Sequence, residues 1–177
     1  MARKPLAAGT RLIDIFMRNA QLSSQISSKI QEIEELYHRL LLLVGPPGCG
    51  KTMVLQELQR EKQSSLLNVN LELSRQMLEI PEAKRSYYLP SILKVILPLE
   101  HGLILLDNTE ILFEFSLKQD PLRLLQGLSR NRTIVATWNG RLESEYLTYA
   151  EAEHPEYRRY SAKDLTYLNL TSLRSQL

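Results

Sequence analysis

The sequence predicts an α/β fold: a three-layer arrangement with helices on both faces of a parallel β-sheet. Three observations carry this. Short apolar runs alternate with stretches of helical spacing, the pattern of strands joined by crossover helices. The run Leu40 to Val44 is apolar throughout, as a strand buried on both faces must be. That run enters Gly45-Pro46-Pro47-Gly48-Cys49-Gly50-Lys51-Thr52, which fits G-x-x-x-x-G-K-[ST] and precedes a helical pattern.

Residues 1 to 10 read as a flexible lead. Arg11 to Ala20 (Leu12, Ile15, Phe16) and Ser24 to Arg39 (Ile26, Ile30, Ile33, Tyr37) have helical spacing, with Ser23 or Ser24 as an N-cap between them. Strands are expected at Arg39 to Val44, Ser65 to Leu71, Gly102 to Leu106 and Thr133 to Trp138, with a weaker fifth at Leu165 to Leu170. A helix begins near Lys51, with Val54, Leu55 and Leu58 apolar. Pro81 and Pro90 are expected to break the stretch from Leu73 to Leu97. There is no repeat and no linker, so the N-terminal residues 1–38 should pack as helices on a domain spanning 39–177.

At 177 residues the chain is large enough for one domain with a real core. Its 44% apolar and 24% charged residues are those of a soluble globule, and its apolar runs are too short to cross a bilayer. No signal-peptide core follows the basic Met1 to Pro5. The single cysteine, Cys49, excludes an intrachain disulfide and suits the cytoplasm. Cys49 reads as a small filler in the loop rather than a catalytic thiol. A net charge of +2 is weak grounds for DNA binding, so any DNA contact must come from local clusters such as Arg130 and Arg132.

Residues Gly45 to Thr52 form a phosphate-binding loop. Glycines let successive N–H groups turn inward, and the following helix N-terminus adds positive charge. Lys51 reaches the β- and γ-phosphates, and the Thr52 hydroxyl is placed to ligate Mg²⁺. The apolar strand Leu103 to Leu106 ends in Asp107, at the end of the sheet where ligands gather, so Asp107 is the second metal-holding group. Catalysis also needs a group that activates water. Asn108 follows Asp107 and cannot take a proton. Glu110 is the candidate base, with Glu72 and Glu114 as alternatives. At the end of the fourth strand, Asn139 is the first choice to touch the γ-phosphate or the water, and Thr137 the second. Asn139-Gly140 also reads as a plain turn.

These segments resemble AAA-type ATPases of the ASCE division of P-loop NTPases: Gly45 to Thr52 as Walker A, Leu103 to Asp107 as Walker B, and Ala136 to Arg141 as sensor 1. Leu105 to Glu110, Ser129 to Val135 and His154 to Tyr160 look like the BrxF family of bacterial BREX phage-exclusion systems. The resemblance implies strand order 5-1-4-3-2 and an accessory ATPase using ATP and Mg²⁺ in antiviral defence. It further implies a homo-oligomer with other BREX proteins as partners. It also implies an arginine supplied by a neighbouring subunit, Arg158 or Arg159, unless those residues form a solvated helical face. Two departures point to slow turnover: Asn108 in place of the usual glutamate, and no C-terminal lid. The competing readings are a small-molecule kinase and a nucleotide-gated assembly module without turnover.

Overall fold

The computed structural model describes residues 8–99 and 102–171, with side chains from residue 21 onward. A central sheet takes β1 (Leu40–Gly45), β2 (Ser65–Asn68), β3 (Ile104–Asp107), β4 (Ile134–Glu143) and β7 (Thr166–Asn169). Its order is β2-β3-β4-β1-β7 and all its pairings are parallel, which is the expected 5-1-4-3-2 with β7 as the fifth strand.

Strand alternation sorts the core into two faces. Leu40, Leu42 and Val44 of β1 pack with residues of α3 (Val69–Met77), α4 (Glu82–Ile96) and α5 (Pro121–Leu128). Leu41 and Leu43 pack with α1 (Ala8–Glu34) and α2 (Lys51–Lys62), through Ile26, Ile30, Ile33, Leu55 and Leu58. These are the three layers expected. Burial on both sides is why β1 has no polar residue.

Several boundaries differ from expectation. The two N-terminal helices are one, α1, which ends at Glu34. The Ser23 hydroxyl bonds the Glu61 carboxylate of α2 instead of capping a helix start. Of the expected lead, residues 1–7 lie outside the described residues and the chain is helical from Ala8; the side chains of Leu12, Ile15 and Phe16 lie outside the described ones. Strand β2 stops at Asn68 because that side chain accepts the Leu71 N–H at 3.0 Å and opens α3, a cap worth about 1 kcal/mol.

Pro81 is the N-cap of α4, but Pro90 sits inside the helix without breaking it. A proline there supplies no N–H to the carbonyl four residues back, a loss that usually costs about 3 kcal/mol or more. That carbonyl belongs to Ser86, and the Gln119 side chain donates to it at 2.9 Å. A residue from the loop before α5 thus replaces the missing donor.

The largest departure follows Trp138. Strand β4 does not turn at Asn139-Gly140 but runs on to Glu143, then pairs antiparallel with β5 (Tyr146–Tyr149), which pairs with β6 (Arg158–Ser161). This three-stranded extension stands beyond the carboxyl end of the parallel sheet. Gly140 makes it possible: a Cβ there would lie 1.8 Å from the Thr148 carbonyl oxygen.

Candidate nucleotide site

The register of the parallel sheet aligns the carboxyl ends of its strands. Gly45 stands opposite Asn139, and Asn68 opposite Asp107. Phosphate loop, Asp107 and Asn139 therefore share one end of the sheet, as an open α/β sheet requires of a ligand site.

The loop has the backbone its sequence demands. Gly48 and Gly50 take positive φ values of 76° and 91°, which an L side chain rarely adopts. Gly50 is the N-cap of α2, and Lys51 is its first residue. Lys51 is 6% exposed, and its ammonium donates to the carbonyls of Gly45 (2.7 Å) and Pro46 (2.8 Å), with the Cys49 sulfur 3.6 Å away. The cation is thus held over the mouth of the loop. A Cβ on Gly45 would meet the Cys49 sulfur at 2.5 Å, so the small pair is mutually required. Pro47 and Thr52 are exposed and Pro46 is half-buried.

Asp107 is buried, and one of its carboxylate oxygens accepts the Asn108 N–H at 3.0 Å. Asn108 adopts a left-handed conformation (φ 52°, ψ 57°), which asparagine tolerates better than most residues. Its carbonyl takes the Asn70 N–H at 3.0 Å, tying the end of β3 to α3. Thr109 is also buried and donates to the Thr137 carbonyl at 2.7 Å, which locks the ends of β3 and β4 together.

The candidates for handling water separate clearly. Asn139 donates from its side-chain amide to the Glu110 carboxylate, and both line a cleft that Pro46 and Pro47 close on the loop side. Thr137 is buried with its hydroxyl toward the Leu106 carbonyl, so the second choice does not face the cleft. Glu72 is paired with Arg75 along α3 at 3.0 Å, and Glu114 accepts from Ser116.

The cleft encloses ≈ 430 Å³. Its far wall is formed by β4, β5 and the loop that joins β5 to β6, including Glu143, Tyr149, Glu151 and Glu156. Sequence reasoning missed this wall. Its signal was the alternation from Arg141 to Tyr149, interrupted by Ser144-Glu145, where Ser144 takes positive φ. The wall is braced from behind: Tyr149 stacks on Phe113 at 3.5 Å, Phe113 meets Trp138 edge-on, and Trp138 meets Tyr160. Burial, with Glu156 and Glu110 nearby, pushes the Tyr149 hydroxyl up to about 12. It therefore stays protonated at neutral pH.

Arg158 and Arg159 lie on β6, not on a helical face. Arg158 is half-buried on the same face as Tyr149, its register partner, and donates to the Tyr157 carbonyl at 2.8 Å. Arg159 points the other way, its guanidinium 3.5 Å over the Tyr146 ring. Arg132 is tied to the Pro98 carbonyl at 2.6 Å, whereas Arg130 is exposed, 5.5 Å from the Tyr37 ring.

A strand, a glycine-rich turn, a helix opening on Lys51-Thr52 and a buried aspartate at the end of β3 define the architecture. The fold is that of a P-loop NTPase. Residues 21–88 match the family model of the Rad17 P-loop domain. That stretch runs from the second half of α1 through the phosphate loop and into α4, and the match supports nucleotide binding by this P-loop domain. The solved structure of PCH-2 from C. elegans is similar at 21% identity and a TM-score of 0.42, over 85% of this chain and 42% of that one. This chain thus spans less than half the length of that protein. Among the described residues no helix is long and apolar enough to cross a membrane.

The residues also fit a magnesium ion. The Thr52 hydroxyl and Asp107 are hard oxygen donors, and among the described residues no group of three His, Cys, Asp or Glu side chains gathers to form an all-protein cage. Mg²⁺ bound through phosphates and water needs only such a sparse set.

Proposed function

We propose that this P-loop domain is an ATP- and Mg²⁺-dependent ATPase of slow turnover, acting as a homo-oligomer in DNA-directed phage defence of the BREX type. The observation that carries the catalytic part is the Asn139–Glu110 pair at the cleft edge beside Pro46 and Pro47. Lys51 neutralises the phosphates, Thr52 and Asp107 hold the metal, and Glu110 takes the proton of a water that Asn139 helps to place. Asn108, where a second carboxylate would speed the reaction, accounts for the slow turnover. Arg158 is the arginine a neighbouring subunit offers once it leaves the Tyr157 carbonyl.

A phosphorylated or otherwise anionic acceptor suits the cleft poorly, since Glu110, Glu143, Glu151 and Glu156 face it against Arg141. This counts against the kinase reading. The defence role is supported by the sequence likeness at Leu105 to Glu110, Ser129 to Val135 and His154 to Tyr160. DNA contact falls to exposed Arg130 rather than Arg132, and should weaken steeply with salt.

Phosphate release and nucleotide affinity test the reading together. Lys51→Ala should lose ATP binding and Asp107→Ala its magnesium dependence. Glu110→Gln should bind ATP normally and hydrolyse at least about 10²-fold more slowly, the usual worth of a general base. Full turnover in Glu110→Gln removes it from the reaction. Undetectable turnover in the parent protein at every concentration, with ATP still bound, favours the assembly module that Asn108 suggests. Loss of phage exclusion on Lys51→Ala in a host carrying the complete system tests the defence role.

A further inference from the structure

The inner side of α4 is ordinary: Leu89, Ile92 and Leu93 are buried in the core. Its outer side is not. Lys84, Tyr87, Tyr88, Ser91, Lys94 and Val95 recur at helical spacing and all face solvent. Tyr87 is 80% exposed and Val95 75%, and the two tyrosine rings meet edge-on at 5.1 Å. The stripe carries two lysines and no acid.

The order of these residues is self-complementary about Ser91. We propose that this face is a two-fold contact between two copies of the chain, with their α4 helices packed antiparallel across Ser91. Residues equidistant from the centre then meet. Tyr87 of one copy lies on Val95 of the other, and Tyr88 receives the Lys94 ammonium over its ring, a cation–π contact. Such reciprocity is what an isologous interface demands. Serine, the smallest side chain of the stripe, lies on the axis, where the helices approach most closely. Lys84 falls at the wet rim. A nucleic acid is the weaker fit, because a convex helix with two lysines offers no groove to track a backbone. Because the contact joins like-charged faces through apolar side chains, it tightens with salt, whereas nucleic-acid binding weakens. The contact needs no nucleotide and does not depend on the proposed ATPase.

Sedimentation equilibrium of the full chain should show dimers at micromolar concentration, favoured by 0.5 M salt and equally present in Lys51→Ala. Val95→Asp and Tyr87→Ala, both at exposed positions and so harmless to the fold, should weaken association on the order of 10²-fold, since each enters the interface twice. Ser91→Cys should form a disulfide with its own copy under mild oxidation, because helices packed through so small a residue bring the two Cα atoms within bridging range. Peptide mapping separates a 91–91 link from any link to Cys49. A mixture of Tyr87→Cys and Val95→Cys should link more readily than either variant alone. A monomeric parent at 100 µM, association unchanged by Val95→Asp, or no 91–91 link within an observed dimer would each overturn the proposal. So would a monomer that binds an oligonucleotide or another protein through Tyr87.

Discussion

The two sheets hold themselves together in opposite ways. In the parallel sheet each central strand is pressed between helical layers, and β1 is buried along its whole length. The antiparallel extension joins the hydrophobic core through one face only. There Leu147, Tyr149 and Tyr160 join the core cluster around Phe113 and Trp138. On the other face Tyr146 and Arg159 meet in solvent. Strand β4 passes from one regime to the other: Ile134 to Trp138 are buried, whereas Asn139 to Glu143 are half-buried or exposed. Asn139 is the first residue past that change. It stands beside the buried strand β1 on one side and lines the cleft on the other, the setting that its proposed role of orienting a reactant requires.

The comparison can be broken most severely at Gly140. No rotamer relieves a Cβ 1.8 Å from a carbonyl oxygen, so Gly140→Ala must separate β4 from β5, at a cost of about 3 kcal/mol. Hydrogen exchange should show protection lost over 140–161 and retained in β1 and β3. Uniform loss would mean that the two sheets unfold as one unit. Trp138→Phe should cost about 2–3 kcal/mol, because it shrinks a fully buried side chain and removes the indole donor to the Thr148 carbonyl at 2.9 Å. Chemical denaturation followed by circular dichroism reads this.

The smallest effect is alkaline. Burial, the Asp120 carboxylate and its hydrogen bond raise Tyr160 above the ordinary phenol range, and burial raises Tyr149 to about 12. Both hydroxyls keep their protons longer in the folded chain than in the unfolded one. Their contribution is therefore complete below about pH 10 and is lost as pH climbs toward 12 and beyond. Melting temperature should fall over that range in the parent and fall less in Tyr149→Phe with Tyr160→Phe. An identical slope would detach the aromatic cluster from the alkaline loss.

Legibility in the sequence follows the same division. The central parallel strands β1, β3 and the first half of β4 announce themselves because burial on both sides favours apolar residues, and the phosphate loop because its glycines, lysine and threonine are dictated by backbone geometry and charge. Lys51, Asp107, Glu110 and Asn139 stand out from the sequence as site candidates, and the strand register with the Asn139–Glu110 hydrogen bond brings them to one end of the sheet. The extension was harder to read. Its strands are four residues long, half-exposed and polar on one face, and Asn139-Gly140 reads as a turn when only local preference is considered. The close approach of Thr148 that makes glycine necessary comes from a residue eight positions away. The survival of α4 across Pro90 was hidden likewise, since its remedy is Gln119 in another segment.

The left-handed backbone at Asn108 has a consequence for any attempt to quicken this protein. Adding a carboxylate directly after Asp107 is the obvious redesign, yet a glutamate there would have to occupy φ 52°, a conformation that disfavours ordinary L side chains by about 1–2 kcal/mol. If the backbone relaxed to relieve that strain, the Asn108 carbonyl would leave the Asn70 N–H and α3 would lose its tether to β3. On the proposed reading, speed at this position would be gained at the expense of the joint between α3 and β3, so an Asn108→Glu variant needs a compensating change in α3 before its turnover can be judged.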